Sequence, residues 1–494
     1  MFESAELGHA VDKKFYDKQR PALRADLLDA QTQIAVEKNF PVIVLVGGVD
    51  NSGKGDTVNT LSEWMDPRHI QTHAMGDPTD EECERPPMWR FWRALPPKGK
   101  VGIFFNSWYT QPIRLRARDE TKNVDLERSL EEIARFERML YDEGALIVKF
   151  WLHLSKKKQK ERMKALEHDR RTRWRVTDED WKNHTNYDAL RRVSERALRE
   201  TSTAQAPWIV VEAFDARYRN LTVGKALRDA MRARLDRKER KPRPSHVPPP
   251  PAAVPIDDRD VLRSLDLTKS LGEKKYESRL SAAQERLNVA SRSKKFERIS
   301  VVLAFEGNDA AGKGGAIRRV TRSLDARVYH VHSIAAPTEE ERAQPYLWRF
   351  WRQLPRKRHI AIFDRSWYGR VLVERVEGFA PADDWMRAYG EINDFEERLA
   401  DHGIVLVKFW LSISKKEQLA RFEARKKTAF KRFKITEEDW RNRKKWPEYE
   451  RAVVDMVDRT STDVAPWHLV EANDKRYARV KILETLCDRI EAAM

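Results

Sequence analysis

Cysteine is nearly absent: the 494 residues contain two, Cys83 and Cys487, far apart and without metal-ligand spacing. A disulfide scaffold and a cysteine-based zinc module are therefore excluded. No apolar run approaches the roughly 18 residues that a membrane span needs. The opening Met1–Glu6 shows no basic stretch followed by an apolar one, so no signal peptide is expected and the chain reads as cytoplasmic. Acidic residues are in deficit as well, leaving a formal net charge of +17. Such a balance points to an anionic partner: nucleic acid, a phosphate-rich substrate or a lipid surface. What remains is ample for packed cores, with 40% apolar and 10% aromatic residues. At roughly 100–200 residues per domain, two to four domains are expected.

The chain is two copies of one unit. Trp89–Arg93 and Trp348–Arg352 are the same pentapeptide, 259 positions apart. The same shift carries Gly53-Lys54-Gly55 onto Gly312-Lys313-Gly314 and Ser107-Trp108-Tyr109 onto Ser366-Trp367-Tyr368. It also superposes Val148–Leu152 on Val407–Leu411 and Ala206-Pro207-Trp208 on Ala465-Pro466-Trp467. Solenoid periods are about 20–50 residues, so this is domain duplication. Between the copies lies a basic, proline-rich stretch ending in Pro248–Pro251, which favours a stiff polyproline spacer. The expected organisation is a first domain over 1–235, a linker over 236–256 and a second domain over 257–494.

Within the second copy, Ile299–Phe305, Ile360–Phe363, Ile404–Phe409 and Trp467–Val470 are short, nearly all-apolar runs suited to strands buried on both faces. Helical spacing occupies the intervals, as in Asp384–Ala400 and Lys415–Arg425. Alternation of this kind predicts a doubly wound α/β domain with its ligand at the carboxyl ends of the strands.

After the first of those strands comes Gly307-Asn308-Asp309-Ala310-Ala311-Gly312-Lys313-Gly314. The Gly-x-x-x-x-Gly-Lys spacing between strand and helix marks a loop whose backbone N–H groups surround a phosphate, with Lys313 supplying a point charge. Gly314 stands where nucleotide hydrolases carry the Ser or Thr that binds magnesium. Asp364, at the end of the strand Ile360–Phe363, is positioned to hold Mg²⁺, with Mn²⁺ as an alternative. Asp309 offers a second carboxylate for the metal or for an attacking phosphate oxygen; the competing reading is a turn-shaping hydrogen bond. Arg365 and Arg370 are candidates to stabilise the transferred phosphoryl group, or to form structural ion pairs. Gly307, Gly312, Gly314, Arg370, Arg421 and Arg425 make up the expected phosphate-binding set. Arg421 and Arg425, four apart on one helix face, belong to a basic run from Lys415 through Lys431, Arg432 and Lys434, either a lid over phosphates or a solvated surface.

The first copy serves as a control. It keeps Asp50, Gly53 and Lys54, but Phe105 and Asn106 replace Asp364 and Arg365. Gln111 stands for Arg370, Leu166 for Arg425 and Asp56 for Gly315. Catalysis is therefore expected in the second copy. The Trp-Arg-Phe-Trp-Arg pentapeptide persists in both, which favours a packing helix over a base-stacking surface.

These motifs, with Phe363–Arg370 and Val373-Glu374-Arg375-Val376, resemble the family-2 polyphosphate kinases over nearly the whole chain. The resemblance implies tandem P-loop kinase-like domains, each a mainly parallel sheet between helices with a helical lid. It implies Mg²⁺-dependent transfer of the terminal phosphoryl of inorganic polyphosphate to an adenine nucleotide, AMP giving ADP in two-domain forms. ADP as acceptor, an ATP-dependent small-molecule kinase and a non-catalytic polyanion binder are the alternatives. Neither a membrane nor nucleic acid is an expected partner, and a homo-oligomer is left open.

Overall fold

The computed structural model describes residues 1–237, 260–428 and 435–494. Most of the expected linker, including Pro248–Pro251, lies outside the described residues, as do Lys431, Arg432 and Lys434 of the basic run. The chain forms two compact units. One comprises Met1–Pro78, Arg90–Lys241 and Thr338–Trp348; the other comprises Thr79–Trp89, Pro242–Pro337 and Arg349–Met494. The linear boundaries at 235 and 257 do not allot Thr338–Trp348 and Thr79–Trp89 in this way.

Each unit is built on a five-stranded parallel sheet. In the first, β1 (Val42–Gly48), β2 (Ile70–Ala74), β3 (Val101–Phe105), β4 (Leu146–His153) and β5 (Trp208–Glu212) lie in the order β2-β3-β1-β4-β5. In the second, β6 (Ser300–Gly307), β7 (Tyr329–Ser333), β8 (Ile360–Asp364), β9 (Ile404–Ser412) and β10 (Trp467–Glu471) repeat it as β7-β8-β6-β9-β10. The chain leaves β1 and β6 on one side and later returns on the other, so each sheet has its switch point at the carboxyl end of its central strand.

Burial explains why these runs are strands. β9 is buried at every position and β6 at all but its last. Alternate β6 residues Val301, Leu303 and Phe305 enter a core with Leu287, Ile317 and Leu486, contributed by helices Glu273–Ser291, Lys313–Thr321 and Lys475–Ala492. A second aromatic core holds Phe363, Trp367 and Phe395, with Trp367 edge-on to both Phe363 and Phe395 at 5.5 and 5.0 Å. Phe350 and Trp351 of the repeated pentapeptide pack into this cluster, 5.8 Å from Trp367 and 5.1 Å from Phe395. Their equivalents Phe91 and Trp92 pack on Trp108 and Phe136. The aromatic residues of the pentapeptide are thus core, in keeping with its presence in both copies. β7 escapes an apolar-run criterion because it is an edge strand with three of its five residues exposed. Among the described residues no helix is long and apolar enough to cross a membrane.

Candidate active site on the phosphate loop of the second repeat

β6 ends at Gly307, whose φ of +149° and proximity to β9 both demand glycine: a Cβ there would sit 2.5 Å from the Leu411 carbonyl oxygen. Asn308 stitches the loop to β9, its side chain accepting from the Ile413 N–H at 3.1 Å. The chain then turns through positive φ at Ala310 (63°) and Gly312 (114°), and the helix Lys313–Thr321 begins. Lys313 folds back over this ring and donates to the Gly307 carbonyl at 2.7 Å. Position 314 faces Asp364, since a Cβ there would lie 4.0 Å from its Oδ2. Glycine leaves that space to whatever the carboxylate holds.

Arg421 corrects the sequence reading. It is 5% exposed, and its guanidinium donates to the carbonyls of Ala310 (2.9 Å), Ala311 (2.8 Å), Ala472 (2.7 Å) and Asn473 (2.8 Å), with Nε on Glu417 (2.7 Å). All five donors are engaged, so the residue braces the loop and leaves no donor for a phosphate. Burial pulls its pKa down while Glu417 works against that. Arg370 is corrected too: it pairs with Glu374 (2.8 Å) and Asp384 (3.7 Å), lines neither cavity of the site, and takes the structural ion-pair alternative.

Two cavities flank the loop and share no lining residue. The first, about 80 Å³, contains Gly307, Asp309, Lys313 and Arg365 with an aromatic wall of Trp410, Trp446 and Tyr449. Here the Asp309 carboxylate is engaged by side chains from outside the loop, Asn442 at 2.9 Å and Arg365 at 3.4 Å. Arg365 adopts φ +65° and also reaches Glu438 at 3.6 Å. Burial alone would lower its pKa; the surrounding carboxylates of Asp309, Glu306, Glu438 and Asp364 outweigh this and raise it. Glu306 is buried beneath, accepting from the Ser366 N–H (2.7 Å) and hydroxyl (2.8 Å). Burial raises its pKa against the pull of Lys313.

The second cavity, about 230 Å³, takes in Ala310, Gly312 and Gly315 of the loop and helix start. Among the described residues its charged lining is Arg421, Arg425, Lys475 and Arg479, with no carboxylate. Of the sequence candidates, Asp309, Lys313, Arg365 and Gly307 therefore meet in one cavity, Gly312 and Arg425 in the other, and Gly314 with Asp364 at the helix start. Glu306, Asn442, Lys475 and Arg479 were not anticipated. The repeat shift carries a signal for three of them: Gly47, Ala216 and Asn220 stand at the places of Glu306, Lys475 and Arg479.

In the first unit the loop keeps its conformation, with positive φ at Gly48 (146°), Asn51 (60°) and Gly53 (85°) and Lys54 donating to the Gly48 carbonyl at 3.0 Å. Lys54 lies over the Phe105 ring, 5.8 Å from its centroid, where the second unit has a carboxylate.

Comparison with known proteins agrees with this geometry. The family model described as polyphosphate kinase 2 (PPK2) matches residues 10–240 and again 270–494. The polyphosphate:AMP phosphotransferase of Pseudomonas aeruginosa is 57% identical over 493 residues, covering 100% of this chain and 99% of that one. That of Acinetobacter johnsonii is 36% identical, covering 95% and 96%. A crystal structure described as polyphosphate kinase 2 from Pseudomonas aeruginosa superposes with a TM-score of 0.90 at 55% identity, covering 100% of this chain and 99% of that one. The chain belongs to the polyphosphate kinase 2 family.

Proposed function

We propose that the second repeat transfers the terminal phosphoryl group of inorganic polyphosphate to AMP, giving ADP and a chain one phosphate shorter. The observation that carries this reading is the pair of cavities flanking one phosphate loop. The cavity with four cations and no carboxylate suits a polyanion, and the aromatic-walled cleft suits a nucleoside phosphate. Relatives named polyphosphate:AMP phosphotransferase along their full length support the same pairing. Absence of a membrane-crossing helix among the described residues and the scarcity of cysteine support a cytoplasmic setting.

In this scheme an oxygen of the AMP phosphate attacks the terminal phosphorus of polyphosphate, and the bridging P–O bond breaks toward the shortened chain. Lys313 and the loop N–H groups offset charge on the transferred group, and Arg365 is placed to do so from the acceptor side. Asp309, held by Asn442, fixes Arg365 and the cleft rather than acting on a proton, since a phosphate monoester is mostly dianionic at pH 7. Mg²⁺ fits the donors available: Asp364, with the space at Gly314, and Asp309 are the carboxylates to hold it, with phosphate and water oxygens completing its shell. Among the described residues no group of three or more His, Cys, Asp or Glu forms a protein-only cage. The ion would neutralise phosphate oxygens and lower the repulsion between donor and acceptor.

The test is purified protein with polyphosphate, Mg²⁺ and each nucleoside mono- and diphosphate in turn, products resolved, with ATP as an alternative donor. AMP consumed and ADP formed only with polyphosphate is the expected result. Transfer from ATP but not from polyphosphate would sink the reading.

A further inference from the structure

The first unit holds a cavity of about 370 Å³ at the place that the repeat shift equates with the acceptor cleft. Gly48, Asp50, Lys54, Trp151 and Asn183 of its lining correspond to Gly307, Asp309, Lys313, Trp410 and Asn442. Even the internal bond is kept, Asn183 donating to the Asp50 carboxylate at 2.8 Å. The replacements enlarge the cleft and rearrange its charges without changing their balance: Glu179 and Asp180 join Asp50 in the lining, and Glu179 pairs with both Arg114 and Arg118. Gly47 stands where Glu306 fills the second cleft, and Leu190 stands for Tyr449. Arg114 and Arg118, both in the lining, replace Val373 and Glu377. An anion at this cleft would meet Lys54 and the loop N–H groups at one end and Trp151, Ile113 and Leu190 further in. The buried Trp151 indole N–H has no acceptor among the described residues.

The other side of the same loop has gone the opposite way. Arg425, Lys475 and Arg479 are replaced by Leu166, Ala216 and Asn220, and Gly315 by Asp56. Ala478 is replaced by Arg219, which is 2% exposed and donates to the carbonyls of Ser52 (3.3 Å) and Ala213 (3.4 Å). Its guanidinium lies so close to Gly53 that a Cβ there would require it to move. The Arg219 guanidinium thus reaches Gly53, the counterpart of Gly312 in the cationic cavity of the second unit.

We propose that the cleft of the first repeat is a binding site for an adenine nucleoside phosphate, which it holds without transferring. A ligand with one short anionic end and an apolar, planar body matches a cleft of this size. A long polyphosphate does not, because its cationic run has been lost. Transfer is excluded by Phe105 and Asn106 in place of Asp364 and Arg365, and by Arg219 in place of the donor. The inference rests on the reading of the second cleft as the acceptor site.

Equilibrium dialysis of the full chain with labelled AMP and Mg²⁺, without polyphosphate, tests it. The wild type should bind two equivalents. Lys54→Ala should bind one, and so should Ala117→Trp, which fills the cleft from the helix Thr110–Ala117; circular dichroism and melting confirm each fold. Two equivalents in both folded variants, or one that neither variant removes, overturn the proposal and leave the second cleft's reading intact. A single wild-type equivalent lost in both variants upholds this site and sinks the acceptor reading instead. If Ala117→Trp removes an equivalent of tripolyphosphate and none of AMP, the cleft takes polyanion and the proposal is wrong.

Discussion

The two repeats fold the same loop and then part company on either side of it. What they share is structural support. In each, a lysine of the longest strand of the sheet, Lys149 in β4 and Lys408 in β9, lies fully buried against a glutamate at 2.7 Å, Glu137 and Glu396 respectively. The same ammonium groups donate to the carbonyls of Thr201 and Thr460 and to the hydroxyls of Tyr109 and Tyr368. The carboxylates also accept from Trp108 and Trp367. A network this polar beneath a reaction centre invites a catalytic interpretation, and its pKa values are perturbed: burial raises both glutamates and lowers both lysines. Its survival beside Phe105, where the strand-end carboxylate of the second repeat is gone, assigns it to the fold. Perturbed groups mark functional sites only in proportion, because buried ion-pair networks shift in the same way.

The largest effect should therefore be one that does not distinguish the repeats. Lys149→Met and Lys408→Met each leave a buried glutamate without its cation, which costs about 3–5 kcal/mol. Both should lower the unfolding midpoint of their own unit by similar amounts in denaturant titrations. A marked loss from one and none from the other would show that the two networks are not equivalent.

Next in size is the asymmetry at the loop itself. On the function proposed above, Lys313→Ala and Asp364→Ala each remove an electrostatic contact to the reacting phosphates, worth about 2.7–4 kcal/mol or 10²–10³ in rate. Single-turnover transfer at saturating substrate should fall accordingly, with an unchanged circular dichroism spectrum. Lys54→Ala should lower the same rate by less than about tenfold, since the proposed function places no phosphoryl transfer at its own loop. Equal losses at Lys54 and Lys313 would end the division of labour.

Much of this contrast was legible in the residues. The phosphate loop, the strand-end Asp364 and the damaged equivalents Phe105 and Asn106 are local in sequence, and duplication supplied an internal control. Direction within a helix was not legible. Arg421 and Arg425 share a helix face, yet Arg421 turns its donors to four loop and strand-end carbonyls while Arg425 lines the cavity. Charge runs report where cations are, and only packing decides which of them are already satisfied. Arg370 failed for the same reason, its partners Glu374 and Asp384 lying four and fourteen residues on. Lys475 and Arg479 went unnoticed because they belong to the last helix, more than 160 residues from the loop they face.

A third test concerns acid. His468 in β10 is half-buried, and burial lowers its pKa from 6.5 to about 4, with Arg489, Lys481 and Lys408 adding to the effect. The first repeat has Ile209 at this position. A histidine that resists protonation in the folded state lets the unfolded state bind more protons between those two values. Its stabilising contribution is full above pH 6.5 and is lost as pH falls toward about 4. His468→Ile should flatten the decline of the second unit's midpoint over that window and leave the first unit's unchanged. An identical pH profile in the variant would show that His468 does not contribute.

The smallest effects should come from exchanging the residues that separate the two loops on the cationic side. Arg425→Leu installs the first repeat's residue and removes one cation from a cavity whose charged lining holds four. If polyphosphate neutralises that guanidinium, the slope of log affinity against log salt should fall in magnitude by about one, by analogy with other polyanions. The polyphosphate KM should rise several-fold and the AMP KM should stay put. Ala478→Arg imitates Arg219 and places a guanidinium in the same space, adding charge while removing room. Charge alone would then strengthen polyphosphate binding, whereas occlusion would weaken it. Occlusion is expected, because Ala478 is buried against the cavity and Arg219 in the first unit already spends its donors on backbone carbonyls rather than on solvent. Weaker polyphosphate use in both variants, with AMP use retained, would place the donor on this side of the loop; loss of AMP use instead would exchange the assignments of the two cavities.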